Sequence, residues 1–235
     1  MDLRTATVPA LAAVAGLVHG FEQRAPGDGA ETREESLARV GRALDGSGRL
    51  LLLRQVHGAT VVEAPWDGAP EADASVASAR GLILGIQTAD CLPVLLVDPR
   101  RQAVAAAHAG WRGTAAGVAA RAVESLVARG SRPRDVVAAI GPGIGPCCYE
   151  VGEERREAMG PSAAPFFRPG PNGRPHLDLR AANAFQLEAA GLPPAAIHHV
   201  ADCTRCRADL YHSYRRDGRA AGRMVSFVGF AASRQ

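Results

Sequence analysis

Lysine is absent from this chain: all 27 basic side chains are arginine. A lysine nucleophile or Schiff base is therefore excluded outright. Aromatic residues are scarce, at 5%. No apolar run nears the roughly 18 residues that would cross a bilayer, so no membrane association is expected. The early apolar stretch from Val8 to Val18 is short, contains Gly16 and lacks a strongly basic flank. It does not read as a secretory signal, and a cytoplasmic setting is expected. A large excess of either charge is missing as well. The arginines are scattered among 24 acids for a net charge of +3, whereas a nucleic-acid binder clusters its positive charge, so no nucleic-acid partner is expected. Five cysteines are an odd number without secretory context, which favours thiols or metal ligands over a disulfide framework.

The 235 residues, 47% hydrophobic and 22% charged, fit one large soluble domain or two small ones. Helical spacing predicts a helix from Glu31 to Leu44. Leu50 to Val56 reads as a buried strand running into His57, with Val61 to Glu63 continuing it after a turn at Gly58. Ala64 to Pro70 reads as a loop. Leu82–Ile86 and Pro93–Val97 read as two strands around a polar interruption, Gln87-Thr88-Ala89-Asp90-Cys91. A strand from Ala103 ends at His108 and a long helix then runs through Val127 to a stop at Gly130. Asp135 to Ile140 reads as a strand, and the Gly/Pro run from Gly141 to Pro146 excludes a helix. A short helix is expected over Val151 to Met159, an irregular loop over Pro161 to Pro175, and an Asp178-capped helix over Leu179 to Ala190. Ile197–Val200 and Arg223–Phe230 complete the strands. Strands and helices alternate, but several strands are joined by short turns, which predicts an α/β chain with mixed sheets.

Several apolar segments end on unusual residues. His57 and His108 each follow a strand, and Cys91 sits in the break between two others. Two imidazoles and a thiolate make a three-ligand site with an open fourth position, as catalytic zinc requires. The same set suits copper, or a Cys91 thiolate nucleophile with a histidine base. Spacing alone favours ordinary packed His and Cys. A trinuclear copper cluster is not supported, because the chain has seven histidines and no His-x-His. Arg54 and Gln55 precede His57 and could orient a substrate. The turn from His108 to Thr114 is glycine-rich, and free amides near Gly110 beside Arg112 form a candidate anion site that includes Thr114. Cys147-Cys148 and Cys203-x-x-Cys206 would make a zinc or redox site only if the two pairs converged; packing is the plainer reading. His212 to Arg216 reads as a basic surface hairpin, and neither His198 nor His199 is assigned to a metal.

Five motifs occur in order: Arg54-Gln55-Val56-His57-Gly58, Thr88 to Leu96, Ala106 to Gly113, Ile140 to Val151, and Cys203-Thr204-x-Cys206 with Tyr211 to Gly218. Together they resemble the YfiH-like family, named for laccase or polyphenol oxidase activity. Its members are also described as purine nucleoside phosphorylases and, in some bacteria, as peptidoglycan editing factors. The resemblance covers roughly residues 50 to 230. It implies a single domain over residues 1–235, an α/β fold of four layers, α/β/β/α, with internal pseudo-duplication. It implies zinc at His57, Cys91 and His108, with copper as the alternative metal. The implied substrates are a nucleoside and phosphate: phosphorolysis of adenosine, inosine and 5′-methylthioadenosine, plus adenosine deamination. A cysteine or metal hydrolase editing a peptidoglycan precursor, a copper-dependent polyphenol oxidase and a metal-dependent partner protein of the cell-wall machinery are the rival readings. For phosphorolysis, Arg54, Arg112 and the amides from Gly110 to Thr114 are the candidate anion holders, and Asp73 or Asp90 the candidate acid–base groups. Family members carry Gly-Gly-x-Ser and an Asn-Leu pair after the opening Gly-Phe; here Gly20-Phe21 runs instead into Glu22 to Gly29.

Overall fold

The computed structural model describes residues 3–24 and 32–233. Strands β1 (Thr5–Ala6) and β2 (Leu17–Glu22) flank the short helix α1 (Pro9–Ala12). Helix α2 (Arg33–Ala43) precedes β3 (Arg49–Leu52), β4 (Val61–Glu63), β5 (Ala74–Ala77), β6 (Leu82–Thr88), β7 (Leu92–Asp98) and β8 (Ala103–Ala109). Helices α3 (Trp111–Ala115) and α4 (Val118–Val127) lead to β9 (Val137–Ile140), and α5 (Glu153–Met159) to the hairpin β10 (Phe167–Pro169) and β11 (Pro175–Leu177). Helix α6 (Leu179–Ala189), β12 (Ile197–His199), α7 (Tyr214–Asp217) and β13 (Met224–Phe230) follow.

These strands build two mixed sheets. One has the order β1-β2-β13-β6-β3, parallel only between β3 and β6. The other has the order β12-β9-β7-β8-β5-β4, parallel at its two outer pairs and antiparallel between them. Side-chain alternation along the strands sets the layering. Leu84, Ile86, Leu95, Val97, Val104, Ala106, Val228 and Phe230 fill the space between the sheets. Ile83, Val225 and Phe227 face outward onto Val40 of α2 and Leu44 at its C-terminal cap. Val94, Leu96, Ala105 and Ala107 face the other way, onto Val118, Ala122, Val123 and Leu126 of α4 and onto Leu179 and Leu187 of α6. The result is the expected four-layer α/β/β/α arrangement. No described helix is long and apolar enough to cross a membrane.

Helix α2 starts in a capping box: Thr32 Oγ1 accepts from the Glu35 amide, and the Glu35 carboxylate accepts from the Thr32 amide. It is pinned to the sheet by Glu22, which is 1% exposed. That carboxylate accepts from Ser36 Oγ (2.8 Å), from Arg39 (2.6 Å) and from the Val225 amide (2.6 Å). Burial pushes the Glu22 carboxyl above its ordinary pKa, against the pull of those three donors.

Several expectations are corrected. The strand predicted to run to Val56 stops at Leu52, because Arg54 leaves that sheet to pair with Glu71, Val56 is exposed and His57 takes a left-handed backbone (φ 63°). Val61–Glu63 does not continue that strand but joins the other sheet. The long helix through Val127 is split into α3 and α4 by Gly117 at φ 77°. The loop over Pro161 to Pro175 contains a 3-10 turn (Pro161–Phe166) and one arm of a hairpin. The basic hairpin expected at His212–Arg216 is a helical turn, capped by Ser213 Oγ on the Arg216 amide. Of the helix predicted from Glu31, that first residue lies outside the described residues, as does most of the atypical stretch after Glu22.

Candidate metal centre

The chain steps from the five-stranded to the six-stranded sheet twice, between β3 and β4 and between β6 and β7. His57 sits on the first step and Cys91 on the second, while His108 is the penultimate residue of β8. Both steps need backbone that a strand cannot supply. His57 (φ 63°) and Asp90 (φ 92°) are two of three described non-glycine residues in the left-handed region. Strain of this kind collects where a fold is held for function. The two steps and the end of β8 meet at one edge of the sandwich. One ligand atom each from His57, Cys91 and His108 lies within 4.8 Å of the others, and the two imidazoles meet edge to face.

Asp73, fully buried just before β5, organises this group. Its carboxylate accepts from the amides of Val56 (3.1 Å), His57 (2.9 Å) and Gly58 (2.6 Å) and from His108 Nδ1 (2.8 Å). Burial works against the charge on Asp73, but the His108 ring and the loop amides outweigh it and hold the carboxyl below its usual pKa. An ionised carboxylate can only accept, so His108 carries its proton on Nδ1 and presents Nε2 to the cluster. Burial likewise opposes ionisation of Cys91, yet hydrogen bonds and charge from His108 and His57 bring its thiol down to about 6. His108 moves the opposite way: burial lowers it, while Asp73 and Cys91 raise it to about 9. Gly110 is required by proximity, since a Cβ there would lie 2.8 Å from Cys91 Sγ. Two imidazoles and a thiolate at this separation, with a carboxylate behind one imidazole, fit a divalent metal of borderline softness.

The cluster opens into a cavity of about 760 Å³, well inside the range of small-molecule sites. Of the residues singled out from the sequence, His57, Cys91, His108, Arg54, Gln55 and Asp90 line it. The Gln55 amide continues the pairing that β3 abandons, exchanging two 2.8 Å hydrogen bonds with the Gln87 backbone. Asp90 accepts from Thr204 Oγ1 and the Arg215 amide, both at 2.6 Å. Asp73, Gly110, Arg112 and Thr114 do not line it: the first two stand behind the ligand cluster, and the other two lie elsewhere. Arg112 is exposed and lies over the Trp111 ring rather than in the cavity. Thr114 is buried, accepting from Asn183 Nδ2 (2.9 Å) and, at its carbonyl, from Gln186 Nε2 (2.6 Å), so it braces α3 against α6.

Sequence reasoning missed most of the cavity wall: Arg33, Gln87, Trp111, Tyr149, Arg155 and Arg223, with Arg215 seen only as surface. Nothing distinguishes these arginines from the rest in the sequence. The Gln87 side chain accepts from Arg33 Nε (2.8 Å), and its buried Nε2 has no partner among the described residues. Burial and the nearby Cys91 charge push the Tyr149 phenol up to about 12, so it stays protonated at neutral pH.

The four remaining cysteines also differ from expectation. Cys147, Cys148, Cys203 and Cys206 do converge, with all four sulfurs within 4.8 Å.

A family model described as multi-copper polyphenol oxidoreductase laccase matches residues 17–231. A Deinococcus radiodurans protein named purine nucleoside phosphorylase is 41% identical over 201 residues, covering 85% of this chain and 76% of its own. A protein named adenosine deaminase, from an unknown prokaryotic organism, is 41% identical over 163 residues, covering 67% of this chain and 61% of its own. The crystal structure of YlmD from Geobacillus stearothermophilus superposes with a TM-score of 0.86 at 31% identity, covering 99% of this chain and 97% of that one.

Proposed function

Because the chain belongs to the multi-copper polyphenol oxidoreductase laccase family, we propose that it is a metal-dependent purine nucleoside phosphorylase with adenosine deaminase activity. The observation that carries this reading is the convergence of His57, Cys91 and His108 at the edge of an arginine-walled cavity. Relatives named purine nucleoside phosphorylase and adenosine deaminase support the substrate class. The donor set suits zinc, with copper as the alternative that two imidazoles and a thiolate also accept. When bound, the metal supplies Lewis acidity and an open ligand position in the cavity.

The protein's own groups do the rest. Asp73 orients His108, and through three amides it fixes the loop bearing His57. In this reading Asp73 and Asp90 are positioning residues, because their oxygens are engaged by the protein. Arg54 keeps the anion role expected of it, and the role expected of Arg112 passes to Arg155, Arg215 and Arg223, which face the cavity with it. Trp111 and Tyr149 offer flat walls to a purine, and Gln87 Nε2 offers a free donor. In phosphorolysis a phosphate oxygen bonds to ribose C1′, the C1′–N9 bond breaks, and the departing purine takes its electron pair and a proton. In deamination the oxygen of water bonds to purine C6 and the amino group leaves as ammonia.

Metal analysis of the purified protein, paired with phosphate-dependent adenine release from adenosine, tests the proposal. Adenine release should require phosphate and disappear together with the metal in His108→Ala. Full activity in a metal-free Cys91→Ala protein would overturn it. A second reading, a cysteine hydrolase acting on a cell-wall precursor, draws on the Cys91 thiol held near 6 beside His108. Inactivation by a thiol alkylator but not by a chelator would favour it.

A further inference from the structure

The cysteine cluster lies outside the site just described, and its four residues come from two loops laid side by side. The first runs from β9 through the Gly/Pro segment, where Cys148 and Tyr149 donate their amides to the Gly145 carbonyl. That turn places both Cys147 and Cys148 on the same side, and His176 Nδ1 holds the Pro146 carbonyl at 2.6 Å. The second loop follows β12 and pairs with the first through a bridge between Gly143 and Cys203. Chain separation has hidden this convergence, since Cys206 comes 58 positions after Cys148.

We propose that Cys147, Cys148, Cys203 and Cys206 bind a second divalent metal ion, with zinc as the best match. Bond lengths of about 2.3 Å and tetrahedral angles put ligand sulfurs about 3.8 Å apart around one zinc. Cys206 Sγ lies 3.7 Å from Cys147 Sγ and 3.4 Å from Cys148 Sγ, and no pair of the four exceeds 4.8 Å. Those distances suit one ion at the centre; a polynuclear cluster would spread its ligands wider. A disulfide explains the arrangement less well. Cys206 is nearly equidistant from two partners, and either bond would leave two thiols stranded beside it. The surroundings favour thiolates: the Gly145 amide donates to Cys203 Sγ (3.2 Å), and Arg205 donates to Cys148 Sγ (3.5 Å). On binding, each thiol releases its proton to solvent and donates a lone pair to the ion.

The site is closed on the protein side by four sulfurs, so it is structural rather than catalytic. It ties a loop that walls the cavity to the loop that follows β12. One carries Ile144 and Tyr149 into the lining; the other carries Thr204, whose hydroxyl holds Asp90 next to Cys91. The bound ion therefore sets the distance between that wall and the histidine-bearing edge.

Elemental analysis of the intact protein, purified without chelators, tests this independently of any activity. About two metal ions per chain are expected in the wild type, and about one in either Cys147→Ser/Cys206→Ser or His57→Ala/His108→Ala. Cobalt-substituted wild-type protein should show intense tetrahedral thiolate bands that persist in the histidine variant. Should the cysteine variant fail to fold, stoichiometry and cobalt spectrum of the wild type still decide the matter. A single ion in the wild type, with the four thiols alkylated in the native protein without metal release, overturns the proposal. So does a non-reduced mass lower by two hydrogens, which would reveal a disulfide. Neither result bears on the proposed function, which rests on the other cluster.

Discussion

The two clusters of soft ligands are built in opposite ways. His57, Cys91 and His108 arrive singly, 34 and 17 residues apart, on two steps between sheets and one strand end. The four cysteines arrive in pairs on loops that need only lie side by side. The first cluster offers three donors and faces a cavity; the second offers four and faces outward, with Cys147 and Cys206 exposed. A metal held by three protein ligands keeps a place for a reactant, whereas one held by four has none to give. On the proposed reading the same fold separates a reactive centre from a fastener, and sheet geometry builds only the first.

The sharpest way to break the comparison is His108→Ala. Loss of a catalytic metal ligand is expected to lower phosphorolysis by at least ~1,000-fold, while elemental analysis still finds the cysteine-bound ion. Cys203→Ser should give the converse: the histidine site keeps its ion, and thermal unfolding shifts down by roughly 5–10 °C, the size of a loss of about 2–3 kcal/mol in a domain of this length. Retention of the wild-type Tm would make the cysteines bystanders. Asp73→Asn sharpens the picture by leaving all three ligands in place. Chelator competition should show metal affinity about 10–100-fold weaker, the usual cost of losing a carboxylate behind a ligating histidine. The mildest test touches neither cluster. Gln87→Ala should raise KM several-fold with metal content and kcat little changed, corresponding to about 1 kcal/mol for one lost substrate hydrogen bond.

Local marks carried much of the sheet framework and singled out His57, Cys91 and His108, which spacing alone left as packed side chains and the family resemblance joined into one site. β6, β7 and β8 are continuous apolar runs, as strands buried on both faces must be, and polar residues ending such runs are conspicuous. The order of five motifs then supplied the layers. What remained hidden was non-local. β1 has only two residues, and β5, Ala-Ser-Val-Ala, is too small-sided to stand out. The left-handed turns at His57 and Asp90 have no glycine to announce them. With 27 arginines in the chain, those that wall the cavity differ from the rest only in where the fold delivers them. The cysteine pairs looked like packing because adjacent cysteines make a poor chelate alone; it takes the Gly143–Cys203 bridge to bring in the other half.

The buried anchor beneath the outermost helix reaches further than stability. Glu22 fastens α2, and the first residue of α2, Arg33, reaches Gln87 at the cavity wall. A layer that contributes none of the clustered ligands thereby acquires leverage over the shape of the cavity wall. Evolution or an engineer could retune substrate preference from the far side of the sandwich, leaving the ion and its three holders untouched.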